Sequence, residues 1–406
     1  MIPILFDKSA NPKTIVNSNN MGLGRLNECI KATVTEERNG LYELEIEYPV
    51  NGVHFSEINY NSWIKAKPFV NGDVQLFRVY KISKPINGIC TINAEHVSYL
   101  LSYAVTTVRR WGQGSNPPVI DCSDALDLLI SRVLTDEYVG DGSMAFQFQN
   151  LHSSVATEFI TDRAKSMREY LLGPEGSLLA VYGDSEYEFN NFSVKLYDAE
   201  GVNARGHDNG VRIQYGQNML NLKAEISDQD IVTGFYPYII VDIPDDPDRG
   251  WHNQFMMQDI NYYNTTDSPF VMNPAAQAAY PYLRRIVSLN LKDFDRWKNV
   301  DFVPGTYVIQ GLTVQDFYDC VDQYIEAHPE TALPHKSIDV SFVDLSSTTE
   351  YKNVQPLEAI NLCDIVTVVY KEWQVDAKFK VVKTEYNVLE ERYNNITLGA
   401  LRKTLN

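Results

Sequence analysis

Cysteine, histidine and carboxylate side chains are the groups in this chain equipped for chemistry, and their spacing decides which chemistry is open to them. The five cysteines, Cys29, Cys90, Cys122, Cys320 and Cys363, are odd in number and widely spaced. A disulfide framework or a zinc ribbon needs close pairs such as CxxC, so these thiols fit folding in a reducing cytoplasm. The seven histidines, His54, His96, His152, His207, His252, His328 and His335, are scattered. The densest metal-ligating set is Cys320, His328 and His335 with Glu330 nearby, and it reaches one zinc ion if a helix ends near Ala327. Its spacing matches no zinc pattern, and both histidines adjoin proline in loop-like sequence. The run from Asp242 to Asp248 has oxygen ligands at calcium density but lacks the turn glycine and distal glutamate of an EF-hand, and it reads as a solvated loop.

A thiol nucleophile needs a histidine and an orienting group beside it. Cys90 and His96 are close in sequence, yet Cys90 falls in a strand pattern and reads as core. Cys363, beside Asp364 at a strand start, reads as a small buried residue. GxSxG, HExxH, P-loop and GxGxxG patterns are absent. A carboxylate pair for glycoside hydrolysis stays open, because 53 acidic residues single out no pair. The expectation is therefore no catalytic, cofactor-binding or metal-ligating residues, and no cofactor.

The elements that would position these residues are mostly strands. Asn39-Gly40 predicts a two-residue hairpin turn within 29–48, after which Tyr42, Leu44, Ile46 and Tyr48 alternate with Glu43, Glu45 and Glu47. Those glutamates read as a solvated sheet face. Strands are expected at 62–68, 75–84 and 88–96, a small barrel or sandwich, with a short helical closure at 96–101. Gly112, Gly114, Pro117 and Pro118 mark a boundary. Helices are predicted at 123–134, capped by Ser123, at 161–172, ending at Gly173, at 274–286 and at 313–327. Strands are predicted at 187–197, 211–215, 339–343 and 363–398, and 243–268 is expected to be a surface loop.

Composition narrows the function. At 406 residues the prior is two to four domains. The net charge of −18 disfavours a phosphate-gripping surface, and the dense basic spots, Arg109-Arg110 and Arg284-Arg285, read as solvated pairs. An acidic protein can still surround DNA without holding it. The abundance of tyrosine, 25 residues, suits pleated half-buried faces. No run approaches a membrane span, and the first residues do not read as a signal peptide.

Two stretches far apart share one strand layout. Trp63–Lys67, Phe77–Ile82 and Cys90–Ile92 correspond to Ile365–Tyr370, Phe379–Thr384 and Asn395–Leu398. Matching Ile64 with Ile365 and Phe77 with Phe379 needs a one-residue adjustment. A small β-unit at both ends of a chain suits symmetric assembly better than one catalytic cleft.

Three segments then carry a resemblance. Ser166–Leu179 is followed by Tyr182-Gly183 and Tyr187–Phe192; Arg205–Gly210 precedes Ile213–Asn218; and Val232–Tyr238 closes the stretch. This succession resembles the phage minor structural protein, or prophage endopeptidase tail, family, the N-terminal hub region of siphophage tail-associated lysins. Phe77–Tyr80, Ala94–Leu101, Cys363–Val368 and Val382–Tyr393 are similar to the same family, which usually has glycine where Cys363 stands. The resemblance implies an α+β, β-rich baseplate-hub fold: two small antiparallel β-barrels of similar design with inserted α+β domains. It implies a first barrel at 1–105, a tip domain at 106–207 and 244–339, and a second barrel at 208–243 with 340–406.

It further implies a homotrimer whose six barrels meet the hexameric tail tube. Expected partners are the distal tail protein, the tape-measure protein and receptor-binding proteins, with DNA only as passing cargo and a site at the virion tail tip. In the family, cell-wall lysis is attributed to domains after the hub, and ending at Asn406 the chain is expected to lack one. An endopeptidase site within the chain is the alternative reading. A carbohydrate-binding tip using Trp111, Trp251 and Trp297 is a third.

Overall fold

The computed structural model describes residues 1–69, 72–107, 118–133, 146–161, 163–183, 185–214, 219–227, 231–243, 254–260, 269–291, 294, 309–333, 335–342, 360–370 and 375–399. They fall into two compact units. One comprises Met1–Trp111, Asn116–Ala224 and Ser337–Asn406; the other comprises Gly112–Ser115 and Glu225–Lys336.

The first unit is organised by a sheet with 13 strands among the described residues. Six belong to the N-terminal part: β1 (Ile4–Phe6), β2 (Lys31–Glu37), β3 (Tyr42–Pro49), β4 (Trp63–Ala66), β5 (Gln75–Ile82) and β6 (Ile89–His96). Six follow later: β7 (Asp208–Gln214), β8 (Met219–Ser227), β9 (His335–Phe342), β10 (Ile365–Tyr370), β11 (Val375–Asn387) and β12 (Arg392–Gly399). The last is the two-residue strand Gly24–Arg25, beside β1. Period-two alternation makes the strands: in β3 Tyr42, Leu44, Ile46 and Tyr48 are buried while Glu43, Glu45 and Glu47 face outward. The β2–β3 turn spans Arg38-Asn39-Gly40 rather than two residues. Glu37 N–H donates to the Leu41 carbonyl at 2.7 Å, and Asn39, not Gly40, takes positive φ (54°).

The two sets of six have the same strand order. The first runs β2-β3-β6-β5-β4-β1 and the second β8-β9-β12-β11-β10-β7. The likeness extends to single hydrogen bonds. Asn61 N–H donates to the Val79 carbonyl and Cys363 N–H to the Val381 carbonyl, both at 2.8 Å. Asn61 and Cys363 each turn through positive φ, 66° and 73°. Ile64 stands opposite Phe77, and Val366 opposite Phe379. β5 then bulges between Val79 and Lys81, and β11 between Val381 and Lys383. One constant spacing joins all these pairs, so Ile64 matches Val366 rather than Ile365, and no adjustment is needed. The sets differ at one edge: β1 runs antiparallel to β4, but β7 runs parallel to β10.

The two β-units are also continuous. Lys383–Asn387 of β11 pairs antiparallel with Glu37–Thr33 of β2. β11 therefore carries two neighbours in succession along one side, first β10 and then β2, while β12 lines the other.

The segment inserted between β6 and β7 covers the core face. Its first helix is Cys122–Ile130, and Asp121 caps it by accepting from Asp124 N–H, two residues before the predicted Ser123 and with an earlier end. The helix predicted at 161–172 shrinks to Met167–Leu172, opened by a Ser166/Glu169 capping box. The helix does not start earlier because the backbone at its entry is used elsewhere: Thr106 N–H donates to the Lys165 carbonyl and Met167 N–H to the Ala104 carbonyl. The single strand expected at 187–197 is a hairpin, Ser185–Asn190 with Ser193–Asp198, turned at Asn191 (φ 50°).

The second unit has a sheet in which Gly234–Ile243 pairs with Gln254–Asp259, Val271–Met272 and Ile286–Asn290. The surface loop expected at 243–268 thus contains a strand. The helix predicted at 274–286 is only Pro274–Ala279; Pro281 cannot continue it, and Ile286 and Val287 enter the sheet. The helix Val314–Ala327 forms as expected and buries Phe317, Cys320 and Val321 against Phe235 and Leu289.

Candidate functional site

Two of the segments that carry the sequence resemblance, Ser166–Leu179 and Tyr187–Phe192, dock in the first unit around the β2–β3 turn, whereas Val232–Tyr238 belongs to the second unit. Asn39 Nδ2 donates to the Ser185 carbonyl at 2.8 Å, and Tyr187 N–H donates to Asn39 Oδ1 at 2.9 Å. Arg168 donates to the Gly40 carbonyl at 3.0 Å, with its guanidinium 4.1 Å from the Tyr99 ring centre. A second knot joins β5 and β6 to the 185–198 hairpin. His96 is fully buried, within 2.9 Å of Ser98 Oγ and 3.1 Å of Gln75 Oε1. Asn191 N–H donates to the same Gln75 oxygen at 2.7 Å, and Leu76 N–H to Asn191 Oδ1 at 2.9 Å. Burial, reinforced by the Arg168 charge, holds the His96 pKa well below the ordinary histidine value. The neutral imidazole is a structural hydrogen-bonding ring.

Below this knot lies a buried ionic clasp. Glu186 is 0% exposed; its Oε1 accepts from Lys380 Nζ at 2.8 Å and lies 2.9 Å from Arg38 Nε, an ion pair without hydrogen-bond alignment. Lys380 Nζ also donates to the Ala199 carbonyl. Arg205 donates to Glu36 at 2.8 Å and to the Tyr187 carbonyl at 2.6 Å. Burial disfavours the Arg205 charge, but the Glu36 carboxylate outweighs it and raises the pKa further. Glu36 and Arg205 also line a cleft of about 150 Å³ with Tyr42, Gln75, Glu188 and Asn190. The clasp ties both β-sets to the inserted segment: Arg38 and Glu36 come from the first, Lys380 from the second.

Beside the clasp, Arg205-Gly206-His207 crosses Cys363-Asp364. Asp364 accepts from His207 N–H at 2.9 Å and from Asn361 N–H at 2.8 Å. Burial pushes its pKa up, against those two hydrogen bonds. Gly206 passes so close that a Cβ there would lie 1.9 Å from the Cys363 carbonyl oxygen. Cys363 occupies a left-handed position, φ 73°, the conformation that glycine adopts most readily.

The other chemical candidates separate. Cys90 and His96 lie on one strand six residues apart, roughly 20 Å at the β rise, too far for a dyad. Burial pushes the Cys29, Cys122 and Cys363 thiols up to about 12. Cys320 sits in the second unit's core, and the His328 ring packs 4.4 Å from Tyr324. The side chains of Glu330 and His335, most of Asp242–Asp248, Arg109-Arg110, Trp111, Trp251, His252 and Trp297 lie outside the described residues. Arg284 and Arg285 bind backbone carbonyls within their own unit. Glu43, Glu45 and Glu47 lie on the solvated face as expected, where Lys31 pairs with Glu45 and Arg78 with the neighbouring Glu95.

Sequence reasoning missed the clasp. Glu186 and Lys380 each follow ordinary strand alternation, and nothing local marks them as partners. The one available signal was the repeat itself, which places Lys380 at the position of Arg78, one residue after a buried phenylalanine in each set.

Residues 314–406 match the prophage endopeptidase tail family. No curated protein matches the chain. Similarity among solved structures spans the whole chain. Prophage tail protein gp18 from Listeria monocytogenes EGD-e aligns over 100% of this chain and 96% of its own, at 14% identity and a TM-score of 0.51. The 43 kDa tail protein of prophage MuSo2 from Shewanella oneidensis aligns over 98% of each, at 10% identity and 0.54. A tail protein from Neisseria meningitidis MC58 aligns over 98% and 96%, at 6% identity and 0.52. At these identities the likeness is one of fold.

Proposed function

We propose that this chain, which has the fold of prophage tail proteins and the prophage endopeptidase tail signature over residues 314–406, is a structural hub at the tip of a phage tail. The fold and the family match together support a structural role in a tail. The observation that carries the finer reading is the duplicated six-strand set, fused through β2 and β11. A chain with two equivalent β-units gives six units in a homotrimer, and a ring of six can meet a hexameric tail tube while the rest of the molecule keeps threefold symmetry. The distal tail and tape-measure proteins are the neighbours such a ring would have, with receptor-binding proteins further out.

In this use the two six-strand sets, within 1–105, 208–227 and 335–399, face the tube, while Gly234–Ile243, which the resemblance put in the second barrel, belongs to the sheet of the second unit. DNA would be cargo. Lys31, Arg78 and Lys383 on the solvated sheet face are each tied to a carboxylate, which makes them poor phosphate ligands. No helix among the described residues is long and apolar enough to cross a membrane.

In this reading the chain positions other proteins and does not itself cut the cell wall. Gold-labelled antibody against the purified chain is expected to mark only the tail tip of intact particles, and the chain alone to release no muropeptides from peptidoglycan. Label along the tail shaft, or muropeptide release, would overturn the hub or the non-enzymatic part respectively.

A further inference from the structure

We infer that copies of this chain join by strand addition: β8 of one copy pairs with β5 of the next along Tyr80–Lys84. This rests on the hub reading and names its contact.

The argument is the incomplete symmetry of the two sets. On β11, one side is filled twice, by β10 at Val375–Lys380 and then by β2 at Lys383–Asn387. The second contact is anchored by Arg38 N–H donating to the Val382 carbonyl at 2.8 Å. On β5 the same side is filled once. β4 covers Gln75–Arg78, and the contact ends with Asn61 N–H on the Val79 carbonyl. Beyond that point Ser83 N–H donates to Thr91 across β6, so Ile82, opposite Ile92, belongs to a non-hydrogen-bonded pair. Its N–H and C=O therefore point away from β6. They point where Thr384, its counterpart on β11, meets Glu36 of β2. Among the described residues no strand lies there, and Tyr80, Lys81 and Lys84 are exposed.

The matching half is also left over. β8 holds in the second set the place that β2 holds in the first, and among the described residues it is the last strand of the sheet order, paired with β9 alone. β2 uses its outer edge on β11; the outer edge of β8 has no strand on it among the described residues. An exposed strand edge is a template for another strand. Here each chain leaves one donor and one acceptor edge of the kind it already joins internally. The contact is head-to-tail, the class that closes into rings.

Hydrogen exchange on the intact chain, from dilute to concentrated, tests this alongside light scattering. Peptides covering Tyr80–Lys84 and Met219–Ser227 should exchange at least about tenfold more slowly in the assembled form, whereas 382–386 should be slow in both. Ile82→Pro removes an N–H that faces only the open edge. It should weaken assembly at least about tenfold, whereas Ile82→Ala, which gives up the same packing on the core but keeps the N–H, should assemble like the parent. An oligomer that forms with 80–84 still exchanging fast, or an Ile82→Pro chain that assembles like the parent, overturns this seam and leaves the hub reading standing. A chain that stays single at every concentration overturns both.

Discussion

Glu186→Ala is expected to destabilise the first unit by about 3–5 kcal/mol, read as a drop in the urea midpoint. The magnitude follows from what is left behind. Lys380 is 5% exposed and Arg38 lies against the same carboxylate, so removing Glu186 strands buried positive charge, for which the Ala199 carbonyl is the remaining acceptor among the described residues. The Coulomb gain of such a pair is largely spent on desolvation, so removing both sides should cost far less than removing one. Glu186→Leu combined with Lys380→Met should recover at least half the loss. If the single substitution costs under about 1 kcal/mol, the clasp is a surface-like pair and its proposed part in binding the two β-sets fails.

Gly206→Ala is expected to cost about 3 kcal/mol, close to the upper end for overpacking. A Cβ at 206 would meet the Cys363 carbonyl oxygen at 1.9 Å, its carbon at 2.1 Å and the Asp364 nitrogen at 2.6 Å. All three are backbone atoms, so no side chain can swing aside. Relief requires separating the two segments, which breaks the His207 N–H to Asp364 bond. The variant should show faster exchange at His207 and Ile365 first, because Ile365 N–H donates to the His207 carbonyl. An unchanged urea midpoint would show that this crossing does not hold the second set in place.

Much of the sheet was readable from sequence because strand alternation is a local signal. The β2–β3 hairpin, β4 to β6, β10 to β12 and the repeat linking them all follow from period-two patterns and turn residues. The repeat was even more regular than the residues suggested, since Ile64 corresponds to Val366 without a shift. Helix lengths were less readable. At Lys165 and Met167 tertiary hydrogen bonds to Thr106 and Ala104 override helical composition, and at Pro281 a breaker interrupts an apolar run. The clasp was not readable, because Glu186 and Lys380 are brought together only by topology. The resemblance named the segments of Gly206, Arg168 and Asn191 without giving their physical role: Gly206 is required by a close backbone crossing, and Arg168 and Asn191 are docking residues.

In the proposed hub the two equivalent β-units of each chain serve to close a ring of three chains, and native mass spectrometry of the 406-residue chain tests that most directly. A species of three chains, each 46.2 kDa, with no stable dimer or open ladder of higher forms, is the expected result. A single chain at every concentration, or an unlimited series of oligomers, would contradict it.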